Sequence, residues 1–200
     1  SPPRQPIIIP PDRIETGTWI AASIASNSPL AIKDCDASGL DSVIKAYQQM
    51  GATIQIHNQG KEISVQPASK YYPLELDTAP YPGFPTDMQA QIMANLCYAT
   101  GRSRVRENIF ENRFMHVAEL QRMGAKISVR GNQATIKGPC ALQGAPIMAT
   151  DIRASVSLVV AALSAKGVTK ISRIYHLDRG YQRLDQKLLN LGVNIRRVTE

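Results

Sequence analysis

The chain has 200 residues, 23 of them Lys or Arg and 16 Asp or Glu, for a formal net charge of +7. This length suits one domain with a sizeable core, and the positive balance favours anionic partners without choosing among them. The longest apolar run, around Val156 to Leu163, is broken by serines and too short to cross a bilayer, and three cysteines without C-x-x-C spacing offer neither a disulfide framework nor a zinc site.

The opening "SPPRQPIIIPP" is proline-rich and without a signal-peptide pattern, so residues 1–10 read as a linker remnant or cut end. From Asp12 the stretch "PPDRIETGTWIAASI" begins an amphipathic helix, followed by a strand-like segment from Pro29 to Lys33. A second helix carries Leu40, Val43, Ile44 and Tyr47 at spacings of three and four, one apolar face. It stops at "QQMGATIQI", where Gly51 supplies a left-handed residue, and an alternating strand and the turn "HNQGK" with Gly60 come next.

The same order returns. "FPTDMQAQIM" opens a helix in which Thr86 and Gln89 read as a capping box and Asp87 suits the positive end of the dipole. A strand is expected over Ser103 to Glu107, a helix on Phe114, Val117 and Leu120, a stop at Gly124 in "QRMGAKISV", and a turn at Gly131. The third copy begins with Thr150 and Asp151 in "ATDIRASVSLVVAAL". It continues with a strand from Val168 to Arg173 and a helix on Leu184, Leu188 and Leu191, and closes at Gly192 in "LNLGVNIRR". The opening acid and the closing glycine lie 39, 37 and 41 residues apart in the three copies. The chain is therefore read as a threefold α/β repeat over about 11–67, 84–139 and 149–200, within a single unit spanning 11–200. An alternating strand is expected after Gly192, and its hairpin partner would fall beyond Glu200.

Chemistry gathers at the helix starts. Asp87 has two readings: a cap, or a carboxylate at the mouth of a site that takes or holds a proton. Arg153 falls in the first turn after Asp151, and Arg179 is expected where the next helix starts. A guanidinium there opposes the dipole, a cost that gripping a carboxylate or phosphate would offset; the alternative is pairing with Asp151, Asp178 or Asp185. Arg102, Arg104 and Arg106 share one face of a strand, but no aromatic residues interleave to stack bases, so a solvated face is preferred over nucleic-acid binding. His57, expected in a turn, His116 on a helix and His176 in a loop lack two-histidine metal spacing. No Walker-type or dinucleotide-binding glycine motif is present. Cys35, between Asp34 and Asp36, is expected to have a raised pKa, and a reducing cytoplasm suits the cysteine usage.

The stretches "PYPGFPTDMQAQ", "IFENRFMHVAELQRMGA", "GAPIMATDIRASVSL" and "RIYHLDRGYQRLDQKL", with "PDRIETGTW" upstream, resemble the UDP-N-acetylglucosamine 1-carboxyvinyltransferase family of enolpyruvyl transferases. The resemblance runs from Pro11 to Val198. It implies an inside-out α/β barrel in which each of two lobes has three βαβαββ units about a pseudo-threefold axis, the active site lying between the lobes. This chain would be one lobe, its last strand missing. The activity implied is transfer of the enolpyruvyl group of phosphoenolpyruvate to UDP-N-acetylglucosamine through a tetrahedral ketal, in peptidoglycan synthesis, without a cofactor or metal. Asp87 would remove the acceptor proton, Ile109 would touch the nucleotide sugar through its backbone, Arg153 and Arg179 would hold the phosphoenolpyruvate carboxylate, and Asp151 would line that pocket. The family's proton-donating cysteine belongs to the second lobe, and none of Cys35, Cys97 or Cys140 matches it. The isolated lobe is thus expected to be inactive, to bind the nucleotide sugar weakly at most, and to leave Asp87 solvated. Expected partners are the two substrates and the second lobe, with no nucleic acid and no membrane. A shikimate-phosphate enolpyruvyl transferase and a noncatalytic nucleotide-sugar-binding module are the alternatives.

Overall fold

A computed structural model describes residues 8–198. Asp12 starts the first helix because its side chain accepts the Ile14 N–H at 2.7 Å, satisfying one of the donors left free at a helix start. That helix, α1 (Arg13–Ser26), leads into β1 (Leu30–Lys33), α2 (Asp41–Met50), β2 (Thr53–His57) and β3 (Glu62–Gln66), an antiparallel sheet in the order β1-β3-β2. The second unit is β4 (Glu75–Asp77), a 3-10 turn (Thr86–Met88) running into α3 (Gln89–Leu96), β5 (Gly101–Arg106), α4 (His116–Arg122), β6 (Ile127–Arg130) and β7 (Gln133–Gly138), ordered β4-β5-β7-β6 with β4 parallel to β5. The third contains β8 (Pro146–Met148), α5 (Ile152–Ala162), β9 (Lys170–Ser172), α6 (Tyr175–Asp178) and α7 (Leu184–Asn190), with β8 parallel to β9. Gly51, Gly124 and Gly192 all take positive φ where the last helix of each unit ends, which is why one phrase closes each of them.

The helices α1, α3 and α5 pack against one another and the sheets lie outside them, the inside-out α/β arrangement expected. Every residue of α3 is buried. A helix buried on all sides must satisfy its polar side chains internally. Asn95 does so by accepting the Tyr47 hydroxyl at 3.0 Å and donating to the Ala21 carbonyl at 3.1 Å, tying α2, α3 and α1. A second apolar cluster, Val156, Val159, Leu177, Tyr181, Leu184 and Leu188, joins α5 to the last two helices.

Several sequence expectations are corrected. The short parallel strands β4 and β8 precede α3 and α5, as the βαβαββ unit of the resemblance implies, although the residue pattern alone marked no strand there; three residues each are too few to show an alternating pattern. Residues 193–198 form no strand, although "NIRRV" alternates. In the second unit the equivalent strand β6 pairs only with β7, and without a β7 counterpart among the described residues the segment has no strand to pair with. The barrel is accordingly not closed. Leu191, assigned to an apolar face, is 55% exposed, while Leu184 and Leu188 are buried. The reading of residues 1–7 lies outside the described residues.

Candidate functional site

Asp87 lies in the 3-10 turn that feeds α3, and Thr86 does not cap it. The Thr86 hydroxyl donates instead to Glu107 Oε2 at 2.9 Å, and the Gln89 side chain is buried with no partner, so the expected capping box is not formed. Nor is Asp87 freely solvated. Its Oδ1 accepts from Arg113 at 2.6 Å and its Oδ2 from Arg153 at 3.2 Å. Two guanidiniums against one carboxylate leave a local excess of positive charge. Arg113 was missed in the sequence because it falls in an irregular segment before α4, where no periodicity marks it.

Asp151 is a cap: its Oδ1 accepts the Arg153 and Ala154 N–H groups, each at 2.9 Å. The Arg153 side chain leaves that acid and crosses to α3, so it pairs with none of Asp151, Asp178 or Asp185. Burial works to lower its pKa, but Asp87 and Tyr181 outweigh burial and hold it above the usual arginine value. Tyr181 is itself fixed: its hydroxyl lies 3.0 Å from Thr18 Oγ1, which accepts from Gln91 Nε2 at 3.3 Å, and Gln91 also donates to the Asp87 carbonyl at 3.0 Å. Side chains of α1, α3 and α5 thus meet at one corner of the molecule.

Arg179 follows α6 rather than starting a helix. A cation there agrees with the dipole, so the expected unfavourable placement does not arise. Arg179 is exposed and makes no hydrogen bond or ion pair with the described residues, because Arg197 takes Asp178 at 2.7 Å and Asp185 at 3.4 Å. The next residue, Gly180, packs on Ile152, which places the Arg179 segment beside the start of α5. Ile109 is half-buried in the loop after β5, its N–H donating to Glu107 Oε1 at 2.9 Å. Asp87, Asp151 and Arg153 are therefore clustered at one corner, the Arg179 segment adjoins them at α5, and Ile109 is linked through Glu107.

Glu107, also missed, is 3% exposed. It accepts from Thr78 Oγ1 at 2.9 Å, the Ile109 N–H, the Phe110 N–H at 3.2 Å and Thr86 Oγ1. Four donors suit an ionised carboxylate, which only accepts.

Elsewhere, His116 is buried with neither ring nitrogen partnered, and burial pushes its pKa down to about 4, Asp151 opposing and Arg113 adding to the effect. His57 ends β2 and His176 lies on α6, so neither is in the turn or loop expected of it. Arg104 and Arg106 pair with Glu75 and Asp77 on an exposed sheet face. The Cys35 pKa is raised as expected, but by burial first and by Asp36 and Asp34 only after it. Two clefts of about 510 and 500 Å³ are not lined by Asp87, Ile109, Arg153 or Arg179; the Asp87, Arg113 and Arg153 side chains are partly buried. Among the described residues no group of three or more His, Cys, Asp or Glu side chains is placed to hold a metal ion, and no helix is long and apolar enough to cross a membrane.

The chain is similar to several known proteins. Residues 1–188 match the family model described as EPSP synthase (3-phosphoshikimate 1-carboxyvinyltransferase). The chain is 52% identical over 190 residues to the UDP-N-acetylglucosamine 1-carboxyvinyltransferase of a Nitratiruptor species, covering 95% of this chain and 45% of that protein. It is 52% identical over 196 residues to that of Campylobacter lari, covering 98% and 46%. Among solved structures, the enolpyruvyl transferase NikO from Streptomyces tendae superposes with a TM-score of 0.84 at 30% identity, over 95% of this chain and 45% of that one. EPSP synthase from Acinetobacter baumannii, at 16% identity and a TM-score of 0.63 over 82% of this chain and 39% of that one, shares the fold. The chain spans under half the length of the curated relatives it matches. With its inside-out α/β architecture, and a family match over nearly its whole length, the chain belongs to the EPSP synthase (3-phosphoshikimate 1-carboxyvinyltransferase) family of enolpyruvyl transferases.

Proposed function

We propose that this chain is one lobe of a UDP-N-acetylglucosamine 1-carboxyvinyltransferase, which transfers the enolpyruvyl group of phosphoenolpyruvate to a hydroxyl of the nucleotide sugar in the first committed step of peptidoglycan synthesis. Cell-wall biogenesis, cell shape and division would depend on that step. The observation that carries the reading is the Asp87 carboxylate held between Arg113 and Arg153, an acid beside surplus positive charge. An acid there suits proton removal from an acceptor, and the cations suit a substrate bearing carboxylate and phosphate. The family model is named for the shikimate enzyme, but 52% identity to the nucleotide-sugar enzymes against 16% to a solved EPSP synthase favours the nucleotide sugar. Three free, buried cysteines agree with a cytoplasmic location.

In this mechanism Arg153 and Arg179 grip the carboxylate of phosphoenolpyruvate while Asp151 lines the same pocket and fixes the start of α5. Once Arg153 turns to that ligand, Asp87 Oδ2 loses its guanidinium and becomes free to accept the proton of the attacking sugar hydroxyl. The hydroxyl oxygen bonds to C2 of phosphoenolpyruvate as C3 is protonated; the resulting ketal then loses a C3 proton and phosphate to give the carboxyvinyl ether. Ile109 offers backbone to the nucleotide sugar. The second lobe supplies the proton donor, so the chain alone should not turn over, and closure against that lobe would remove water from Asp87.

The test is to supply the whole gene product with phosphoenolpyruvate and either UDP-N-acetylglucosamine or shikimate 3-phosphate, and to follow phosphate release. Release with the nucleotide sugar alone supports the reading. Release with shikimate 3-phosphate alone would transfer it to the alternative, and binding without release would make the protein a noncatalytic module.

A further inference from the structure

The side chains around Asp87 form a closed circuit. Glu107 Oε2 accepts the Thr86 hydroxyl at 2.9 Å; the neighbouring Asp87 accepts Arg113 at 2.6 Å; the Arg113 guanidinium carbon lies 5.0 Å from the centre of the Phe110 ring; and the Phe110 N–H returns to Glu107 Oε1 at 3.2 Å. Glu107 also accepts Thr78 at the end of β4 and the Ile109 N–H, both at 2.9 Å. The Thr78 hydroxyl in turn accepts the Asn108 N–H at 2.9 Å, so the 108–110 backbone hangs on this one carboxylate and its partner. Burying a charged group with no cation beside it costs free energy unless its oxygens are fully hydrogen-bonded, and here four donors converge from three separate segments.

We propose that Glu107 is a positioning residue for the acceptor side of the pocket, setting the Asp87 turn and the Ile109–Phe110 backbone at a fixed separation. This rests on the reading above that Asp87 and Ile109 meet the nucleotide sugar. Glu107 touches neither substrate; it acts through Thr86 on one side and two amide groups on the other. Its length matters as well as its charge. Aspartate keeps the carboxylate but lacks the methylene needed to reach Thr86 and the 109–110 amides together.

The test uses Thr86→Val, Thr86→Ser, Glu107→Asp and Asp87→Asn in the whole gene product, with kcat, KM for UDP-N-acetylglucosamine, KM for phosphoenolpyruvate and thermal midpoint measured for each. Thr86→Val removes one hydroxyl at nearly constant volume, so it remains informative where Glu107→Asp fails to fold. The expected result is an acceptor KM raised about tenfold in Thr86→Val and Glu107→Asp, a phosphoenolpyruvate KM within about twofold of wild type, and recovery in Thr86→Ser. An unchanged acceptor KM in Thr86→Val beside an impaired Asp87→Asn overturns the positioning role while leaving the proposed function standing. Wild-type behaviour in both Thr86→Val and Asp87→Asn overturns the proposed function and this role with it.

Discussion

Asp87 and Arg153, 66 residues apart in the chain, meet at 3.2 Å where the segments leading α3 and α5 converge. Arg113 closes on the other carboxylate oxygen at 2.6 Å. The Arg153 contact joins the second repeat to the third, the Arg113 contact holds Asp87 within the second, and the Tyr181 and Thr18 hydroxyls extend the junction to the first.

Asp87→Asn leaves two partly buried guanidiniums facing a neutral amide. The ion pairs are partly exposed, with side-chain exposures of 38% for Asp87, 26% for Arg113 and 19% for Arg153, so the expected loss is modest, about 1 kcal/mol. Arg153→Lys keeps the charge but not the paired donors and should cost a similar amount. Urea denaturation at low and high salt measures both effects; the loss in Asp87→Asn should shrink as salt screens the wild-type pairs.

His116 makes the fold sensitive to acid. Its pKa falls from 6.5 to about 4 on folding, so between those values the unfolded chain binds a proton that the folded chain refuses. Stability therefore rises with pH through that window and levels off above about 6.5. By linkage, going from pH 7 to about pH 5 should cost about 2 kcal/mol. His116→Leu, which has no proton to refuse, should flatten that part of the denaturation profile.

Cys140 should be the first thiol to react. Its pKa is lowered to about 6 by a hydrogen bond from Cys97, helped by the Lys126 N–H at 3.4 Å, whereas Cys97 and Cys35 are raised. Near pH 7 a small alkylating reagent followed by peptide mass spectrometry should mark Cys140 before either of the others.

In the core, Asn95→Ala should be worse than Tyr47→Phe. Removing the Tyr47 hydroxyl frees one acceptor, about 1 kcal/mol, whereas removing the Asn95 amide orphans the buried Tyr47 hydroxyl, takes the second donor from the Ala21 carbonyl and leaves a void, about 2–4 kcal/mol. Chemical denaturation of the two variants ranks them.

The scaffold was legible in the sequence wherever one short signal sufficed. Gly51, Gly124 and Gly192 marked three helix ends, and the acids Asp12 and Asp151 marked two true caps. Asp87 has the same place in the repeat but a different role, since Thr86 gives its hydroxyl to Glu107, a partner 21 residues away, and tertiary contact overrides local capping. Arg113 and Glu107 escaped notice for a related reason. Their significance lies in which segments they join, and nothing in the periodicity around either residue announces that. Arg179 was given the wrong end of a helix, because α6 is a single turn ending at Asp178 and leaves no repeating pattern to read.

The most direct test is the turnover of Asp87→Asn in the whole gene product with saturating phosphoenolpyruvate and UDP-N-acetylglucosamine. If Asp87 takes the acceptor proton, kcat should fall by about a hundredfold or more while affinity for the nucleotide sugar changes far less; a kcat within about twofold of wild type would contradict the account.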